Sequence, residues 1–386
     1  MRLLPWEYAV RNLGRAPLRL GLTVAGSALV TLLIFSAAAF VRGMQQSLSV
    51  SAGARNVILL GAGSEESLER SEIAPGVDGI LAASIPGIKS RLGVAYISPE
   101  VHMATVLKTA KDDQTGYMGM LRGVRPAAFL VHQKVRIVEG RAPGPNELLI
   151  GRLAGSRMGL SEERLAVGRT LWFDHRAWTI SGRFEAPGTV MEAEVWCDLS
   201  ELQLAAKRNN LSCVVATLDR GELEDVEIFT KQRLDLELVA MRESDYYSKL
   251  LEFYRPVQLV VWATAFLVAL GGFFGGLNTL YAAFAARIRE LGALQTLGFS
   301  RTAVVVSMIQ EATLATAAGT LLAAAAAVLV LDGVAVRFSM GAFGLSVDTT
   351  VLMLGLLAGL SLGLFGALPP AWRCLKPPIA EALKAA

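Results

Sequence analysis

The sequence predicts a membrane α-helical protein with four transmembrane helices and a large extracytoplasmic α+β domain between helices 1 and 2. Three observations carry this. Of 386 residues, 53% are hydrophobic and only 18% charged, with mean hydropathy +0.45; soluble globular chains carry about 25% charged residues. Four stretches hold no charge: Leu20 to Val41, Pro256 to Ala286, Ala312 to Leu331 and Thr349 to Trp372. Each reaches the roughly 20 residues needed to cross a hydrocarbon core, and four such runs as ordinary core helices would demand an unusually large dry interior. The polar stretch between the first two runs, about Arg42 to Arg255, is ample for a folded domain.

In chain order, residues 1–17 read as a cytoplasmic interfacial helix, with Trp6, Ala9, Val10 and Leu13 on one narrow face opposite Glu7 and Arg11. The first span follows at 18–42. Ala37-Ala38-Ala39 offers a signal-peptide cleavage site, but the apolar run before it exceeds the usual h-region of about 7–15 residues. Residues 43–255 form the external domain, 256–286 the second span, 287–301 a charged segment and 302–331 the third span. A short external loop (332–348), the fourth span (349–372) and a cytoplasmic tail (373–386) complete the chain. Trp262 and Tyr281 lie 19 residues apart, about 28 Å on a helix, the spacing of the two interfacial aromatic belts. With Trp6 and Trp372 they are the expected membrane-interface anchors.

Basic residues beside the spans set orientation. Arg2, Arg11, Arg15, Arg19, Arg287, Arg289, Arg301, Arg373, Lys376 and Lys384 fall on one side, and only Arg42, Arg255 and Arg337 on the other. Both termini and the charged segment are therefore expected in the cytoplasm.

Within the external domain Val135–Val138 alternates weakly, Gly140 to Pro145 reads as a turn, and Glu147–Ile150 leads into a helix-like Leu153–Met158. Thr170–Phe173 and Trp178–Ile180, joined by Asp174-His175-Arg176-Ala177, look like a hairpin. Glu194–Cys197, Ser200–Arg208 and Ser212–Leu218 read strand, helix, strand. Gly61–Ser64 and Ala74–Val77 read as loops. Arg42–Ser51 and Glu243–Arg255 continue spans one and two outward as helical stalks, the latter with Tyr246, Tyr247, Leu250, Leu251 and Tyr254 along one face. Cys197 and Cys213 fall outside, where a disulfide is permitted; Cys374 is an ordinary cytoplasmic thiol.

Several chemistries are missing. There is no GxxxxGK[ST] to cradle nucleotide phosphates. His102, His132 and His175 are scattered, external and read as solvent-exposed, without metal-ligand spacing. No catalytic, cofactor-binding or metal residue is expected, nor a nucleic-acid partner. No ionisable group is read inside a span, which argues against a proton- or ion-coupled carrier. Gly272 and Gly276, and Gly355, Gly359 and Gly363, stand at the spacing of close helix packing, within the subunit or across a dimer.

The charged segment is the informative one. Phe284, Ile288 and Leu291 continue the second span's helix, Leu294 and Leu297 extend the apolar arc, Gly298 offers a C′ cap and Ser300 an N-cap. The result is a helical corner with Arg289 and Thr296 facing outward. Residues Arg287-Ile288-Arg289-Glu290-Leu291-Gly292-Ala293-Leu294-Gln295-Thr296-Leu297-Gly298-Phe299-Ser300-Arg301 resemble the R-x-R-E-[IL]-G-x-L-x-x-[LM]-G-x-[ST]-[RK] segment of MacB/FtsX/LolC-type (type VII) ABC transporter permeases. Ala9-Val10-Arg11-Asn12-Leu13-Gly14-Arg15-Ala16-Pro17-Leu18-Arg19 is similar to the same family's A-x-R-N-L-x-R-x-x-x-R opening. Looser likenesses lie at Gly140-Arg141, Asn146-Glu147, Val167-Gly168-Arg169 and Ile180-Ser181-Gly182-Arg183-Phe184.

The resemblance implies a non-catalytic permease subunit of the bacterial inner membrane, with a MacB-like periplasmic core domain and no fused ATPase. ATP and Mg would be handled by a separate nucleotide-binding partner docked on Arg289, Glu290, Leu294, Gly298, Ser300 and Arg301. Leu294 would fill an apolar groove, Arg289 and Glu290 would pair with charges at its rim, and Gly298 would permit the turn. It further implies a second permease subunit, same or different, membrane lipid as surroundings, room for a periplasmic adaptor, and mechanotransmission in export or in lipoprotein and envelope handling. Two alternatives stay open: an FtsX-like regulator of a cell-wall hydrolase, and a membrane-anchored sensor or binding protein.

Overall fold

The computed structural model describes Leu4, Trp6–Phe338 and Gly341–Lys384, the last without its side chain. Arg2, one of the orienting basic residues, lies outside them. The chain divides into two compact units, one formed by residues 1–43, 256–334 and 345–386, the other by 44–255 and 335–344.

The first unit is helical. After the short helix Trp6–Leu13, four helices are long and apolar enough to cross a bilayer: Pro17–Ser51, Arg255–Ala285, Arg301–Leu331 and Thr349–Cys374. The third closes in a π turn, Ala327–Leu331. These helices outrun the uncharged stretches of the sequence, because a helix does not stop where its first charge stands. One consequence corrects the sequence reading: Glu311 lies within the third apolar helix and is buried. Close packing relies on missing side chains. A Cβ at Gly355 would fall 2.1 Å from Phe35, at Gly359 2.1 Å from Thr320, at Gly363 2.0 Å from Thr316, and at Gly272 2.7 Å from Val30. Gly319, not singled out above, would meet Ser27 Oγ at 2.0 Å and the Val24 carbonyl at 2.4 Å, whereas Gly276 faces open space. The first, third and fourth apolar helices thus interlock. The second packs least, with 6% of its most apolar stretch buried against 33% in each of the others.

The second unit is built on a mixed sheet. Its strands are β1 (Asn56–Gly61), β4 (Ile97–Leu107), β5 (Tyr117–Val124), β6 (Arg136–Gly140), β7 (Glu147–Gly151), β8 (Thr170–Phe173), β9 (Arg176–Glu185), β10 (Val195–Asp198), β11 (Cys213–Thr217) and β12 (Leu238–Arg242). Two short pieces, β2 (Ser90–Arg91) and β3 (Val94–Ala95), form a hairpin apart from it. The strand order is β12-β1-β11-β4-β5-β10-β7-β9-β6, with β8 on β9. β10 runs parallel to β5 and β7 to β9; the other pairs are antiparallel. The helices Val77–Ser84, Leu199–Ala206 and Leu223–Gln232 contribute Leu81, Leu202 and Phe229 to the main apolar core.

The scattered family-like residues of this unit converge on β9. Gly140 and Gly182 are register partners, and the left-handed Gly140 (φ 73°) brings its Cβ position within 2.2 Å of the Ser181 carbonyl, so only glycine fits. Gly168 donates to Ile180, and Ile180 to Arg169. These residues build the fold. The β8–β9 turn is tighter than expected, with Asp174 and His175 both at positive φ and Arg176 and Ala177 already in the strand. Cys197 and Cys213 are buried free thiols on β10 and β11. Two strands lie between these, so the cysteines stand about 14 Å apart at normal strand spacing, beyond the reach of a disulfide.

Both stalk regions are helical. Pro17–Ser51 is one unbroken helix, while Glu243–Phe253 meets Arg255–Ala285 at a turn on Tyr254. Their ends inside the second unit are tied together. Buried Glu243 accepts from the Gly53 backbone N–H (2.7 Å) and Asn56 Nδ2 (2.9 Å), and Ser51 Oγ accepts from the Val190 N–H (2.8 Å). The stretch read as a simple external loop also belongs here. Ala335–Phe338 (β13) pairs with Gly341–Gly344 (β14), and Ala342 packs with Leu153 and Ala193.

Candidate functional site

The charged segment folds as a short helix, Ile288–Thr296, followed by a sharp corner. Gly298 takes the left-handed conformation (φ 93°), and Ser300 Oγ caps the next helix by accepting from the Ala303 N–H at 3.2 Å. Leu291 and Gly292 are buried, over a core of Phe284, Val304, Met308, Ala371, Cys374 and Leu375. Leu294 and Phe299 pack against this same core. Leu294 therefore points into its own chain and does not present the apolar knob expected for a partner. The physical reason is that the helix ends at Thr296, so the wheel that grouped Leu294 with Leu297 stops short. Leu297 turns outward and is 74% exposed. Arg289, Glu290, Ala293, Thr296, Gly298 and Arg301 share the exposed side, while Ser300 is half-buried.

A second helix, Ile379–Lys384, lies against the segment. Ala382 sits where a Cβ on Gly292 would come within 3.1 Å, and Arg289 Nε donates to the Leu383 carbonyl at 3.2 Å. Arg289 is thus exposed yet already oriented by one bond.

Beneath the segment, Arg287 spans two carboxylates. Its Nε donates to Glu290 (3.2 Å), and its NH1 to both oxygens of Glu311 (3.2 and 3.0 Å). Glu311 also accepts from Asn12 Nδ2 and stands 3.9 Å from the Arg19 guanidinium. The helix Trp6–Leu13 accordingly buries Ala9 and Asn12 against the third apolar helix and leaves Trp6 and Val10 of its apolar face exposed. Of the aromatic anchors, Trp372 is exposed, Trp262 and Tyr281 are half-buried, and the Arg373 guanidinium lies 5.9 Å from the Tyr281 ring centre.

Comparison with protein families gives two successive matches: the MacB-like periplasmic core domain over residues 20–227, more than half the chain, and the FtsX-like permease C-terminal region over 262–379. The chain belongs to the MacB/FtsX-type ABC transporter permeases. It is a membrane protein with an extracytoplasmic domain and a permease component of an ABC transporter. Among solved structures, it is similar to the periplasmic region of MacB from Actinobacillus actinomycetemcomitans, with 12% identity, 52% of this chain and 94% of that one covered, and TM-score 0.39. It is also similar to the extracellular domain of the noncanonic ABC-type transporter YknZ from Gram-positive bacteria, with 13% identity, 48% and 99% covered, and TM-score 0.37. Comparison with curated protein sequences gives no match.

The permease's extracytoplasmic unit holds one further cluster, and strand register explains it. β4 pairs with β11 as far as Glu100 and with β5 from Val101 onward, so the sheet has a seam at that point. Glu100 faces Cys213, His102 faces Arg122, and Arg122 faces Trp196 across the ladders. Arg122 donates to Glu194 through Nε (2.7 Å) and NH2 (2.8 Å), and to Glu100 through NH1 (2.9 Å). Glu100 also pairs with His102 Nε2 (3.0 Å) and His132 Nε2 (2.6 Å), and Glu194 accepts from Trp196 Nε1 (2.9 Å). Burial alone would raise both carboxyls, but Arg122 and the histidine and tryptophan partners outweigh it and hold both below the ordinary carboxylate range. Burial, then Arg122, pushes His102 down.

His102 and His132 are therefore buried, correcting the expectation of exposed histidines, whereas His175 is exposed. Glu100, His102 and Cys213 bring donor atoms within 4.8 Å of one another. The same Glu100 oxygen that His102 and Cys213 approach also receives the Arg122 guanidinium. A metal ion there would lie against a fixed positive charge, so the donor set does not suit one. The cluster is a closed set of ion pairs clamping the seam.

Proposed function

We propose that this permease subunit couples ATP hydrolysis on a separate nucleotide-binding subunit to movement of its extracytoplasmic domain by mechanotransmission, in export or in handling lipoprotein and envelope substrates. It would work as a dimer in the bacterial inner membrane with both termini in the cytoplasm, and ATP and Mg would be bound by the partner. The observation that carries this reading is the mounting of the charged segment: a short helix with a buried underside and an outward face of Arg289, Glu290, Leu297 and Arg301. A segment that exposes a large leucine together with charged side chains has the composition of a protein-binding patch with an apolar anchor and polar residues beside it. The chain's residues contain no phosphate-cradling motif, which agrees with the ATPase lying elsewhere. Tied stalk ends in the external unit suit a load-bearing connection.

The test is co-purification from native membranes followed by mass spectrometry, comparing wild type with Leu297→Asp. An ATPase subunit should accompany wild type and be lost from the variant. Leu294→Asp is the poorer probe because it buries a charge in the permease's own core. Absence of any ATPase with wild type under gentle extraction would sink the proposal.

A further inference from the structure

Resting on the docking reading above, we infer that Glu311 is the positioning residue through which the docking segment grips the first apolar helix. The segment joins the second apolar helix, the least packed of the four with 6% of its apolar stretch buried, to the third, and its apolar underside rests on the third and fourth. None of those contacts reaches the first apolar helix. Glu311 supplies that connection. Its carboxylate sits on the third helix, takes both oxygens' worth of hydrogen bonds from Arg287 at the root of the segment, accepts from Asn12 of the N-terminal helix, and faces Arg19 of the first helix at 3.9 Å.

Four separate stretches of chain thus meet on one side chain, and the site is shielded: Arg287 and Glu311 side chains are 12% and 11% exposed. Charge-assisted bonds in such surroundings are strong and directional. The net charge of Arg19, Arg287 and Glu311 together is positive, and Glu290, 3.2 Å from Arg287, balances it from the segment's first turn. Glu290 therefore faces two ways: its helix carries the exposed docking side, and its carboxylate touches the grip. A partner cation that draws Glu290 outward would alter the charge balance around Glu311 directly.

The test uses the permease in lipid nanodiscs, with spin labels at Thr296 on the segment and Leu22 on the first helix, both exposed, on a background whose three cysteines are replaced by alanine. Wild type should give a narrow distance distribution, and Glu311→Gln and the milder Arg19→Gln a broad one, measured without any ATPase present. With the ATPase subunit added, both variants should still bind it, since the exposed side is untouched, but stimulation of ATP hydrolysis by the permease should fall about tenfold, within the range of site-to-site couplings. Glu311→Asp, which keeps the charge, should recover part of both signals where a merely lost fold would not. Unchanged distances and stimulation in Glu311→Gln would overturn the inference while leaving docking intact. Failure of wild type to bind an ATPase would instead remove the docking reading, with the distance measurement still deciding the grip.

Discussion

Replacing Arg122 by methionine is the sharpest perturbation of the extracytoplasmic unit. The side chain is 3% exposed and makes three charge-assisted bonds, two to Glu194 and one to Glu100. Without it Glu100 keeps its bonds to His102 and His132, whereas among the described residues Glu194 keeps one side-chain hydrogen bond, from Trp196 Nε1. Removing one partner of a buried pair costs about 3–5 kcal/mol, chiefly for the charge left stranded. At about 2–4 °C per kcal/mol for a unit of this size, the melting temperature should drop by roughly 6–20 °C. Trp196, whose ring lies 5.5 Å from the guanidinium carbon, is a built-in fluorescence reporter for the melt. Arg122→Met with Glu194→Gln should recover much of the loss, because no naked carboxylate remains. A drop below about 2 °C for the single variant, or no recovery in the double, would refute the account of the cluster as an ion-pair clamp.

The same cluster sets the pH response. His102 lies below its ordinary value of 6.5 in the folded chain, so the unfolded chain takes up its proton first and stability declines as pH falls below about 6.5. Glu100 and Glu194 are held below 4.5, so their contribution is complete above that value and lost as pH falls beneath it. A fluorescence melt should therefore fall monotonically on acidification, and His102→Gln should flatten its upper limb. Gly319→Ala should destabilise the helical unit by about 1–3 kcal/mol through overpacking against the Val24 carbonyl, while Gly276→Ala should be neutral or mildly stabilising; size-exclusion thermostability in detergent separates them. Cys197 and Cys213, buried and free, should react with a thiol reagent only after denaturation, with identical mobility on reducing and non-reducing gels.

The apolar helices are legible because hydropathy averaged over twenty residues outweighs any single side chain. Their ends are not: cutting the third run at Ala312 discarded Glu311, the carboxylate on which the network beneath the charged segment closes. β4 escapes notice because its first six residues, Ile97–His102, are enclosed on both faces, which erases the alternation that marks a half-exposed strand. The seam cluster left one usable trace, Glu100 and His102 two residues apart and hence on one face of any strand. Arg122, His132 and Glu194 are brought to it only by register and by the helix Ala128–Val131. Leu294 and Leu297 show the same limit at small scale, since only a helix end decides which leucine faces outward.

The paired strands Ala335–Phe338 and Gly341–Gly344 bear on how such a protein can be handled. A short link between two hydrophobic helices is the usual place to insert an epitope or a reporter for mapping sidedness. Here Ala342 is 2% exposed and wedged beside Leu153 and Ala193, and Phe343 is likewise enclosed. An insertion there would pry a hairpin out of a folded domain, and the reporter would record damage in place of topology.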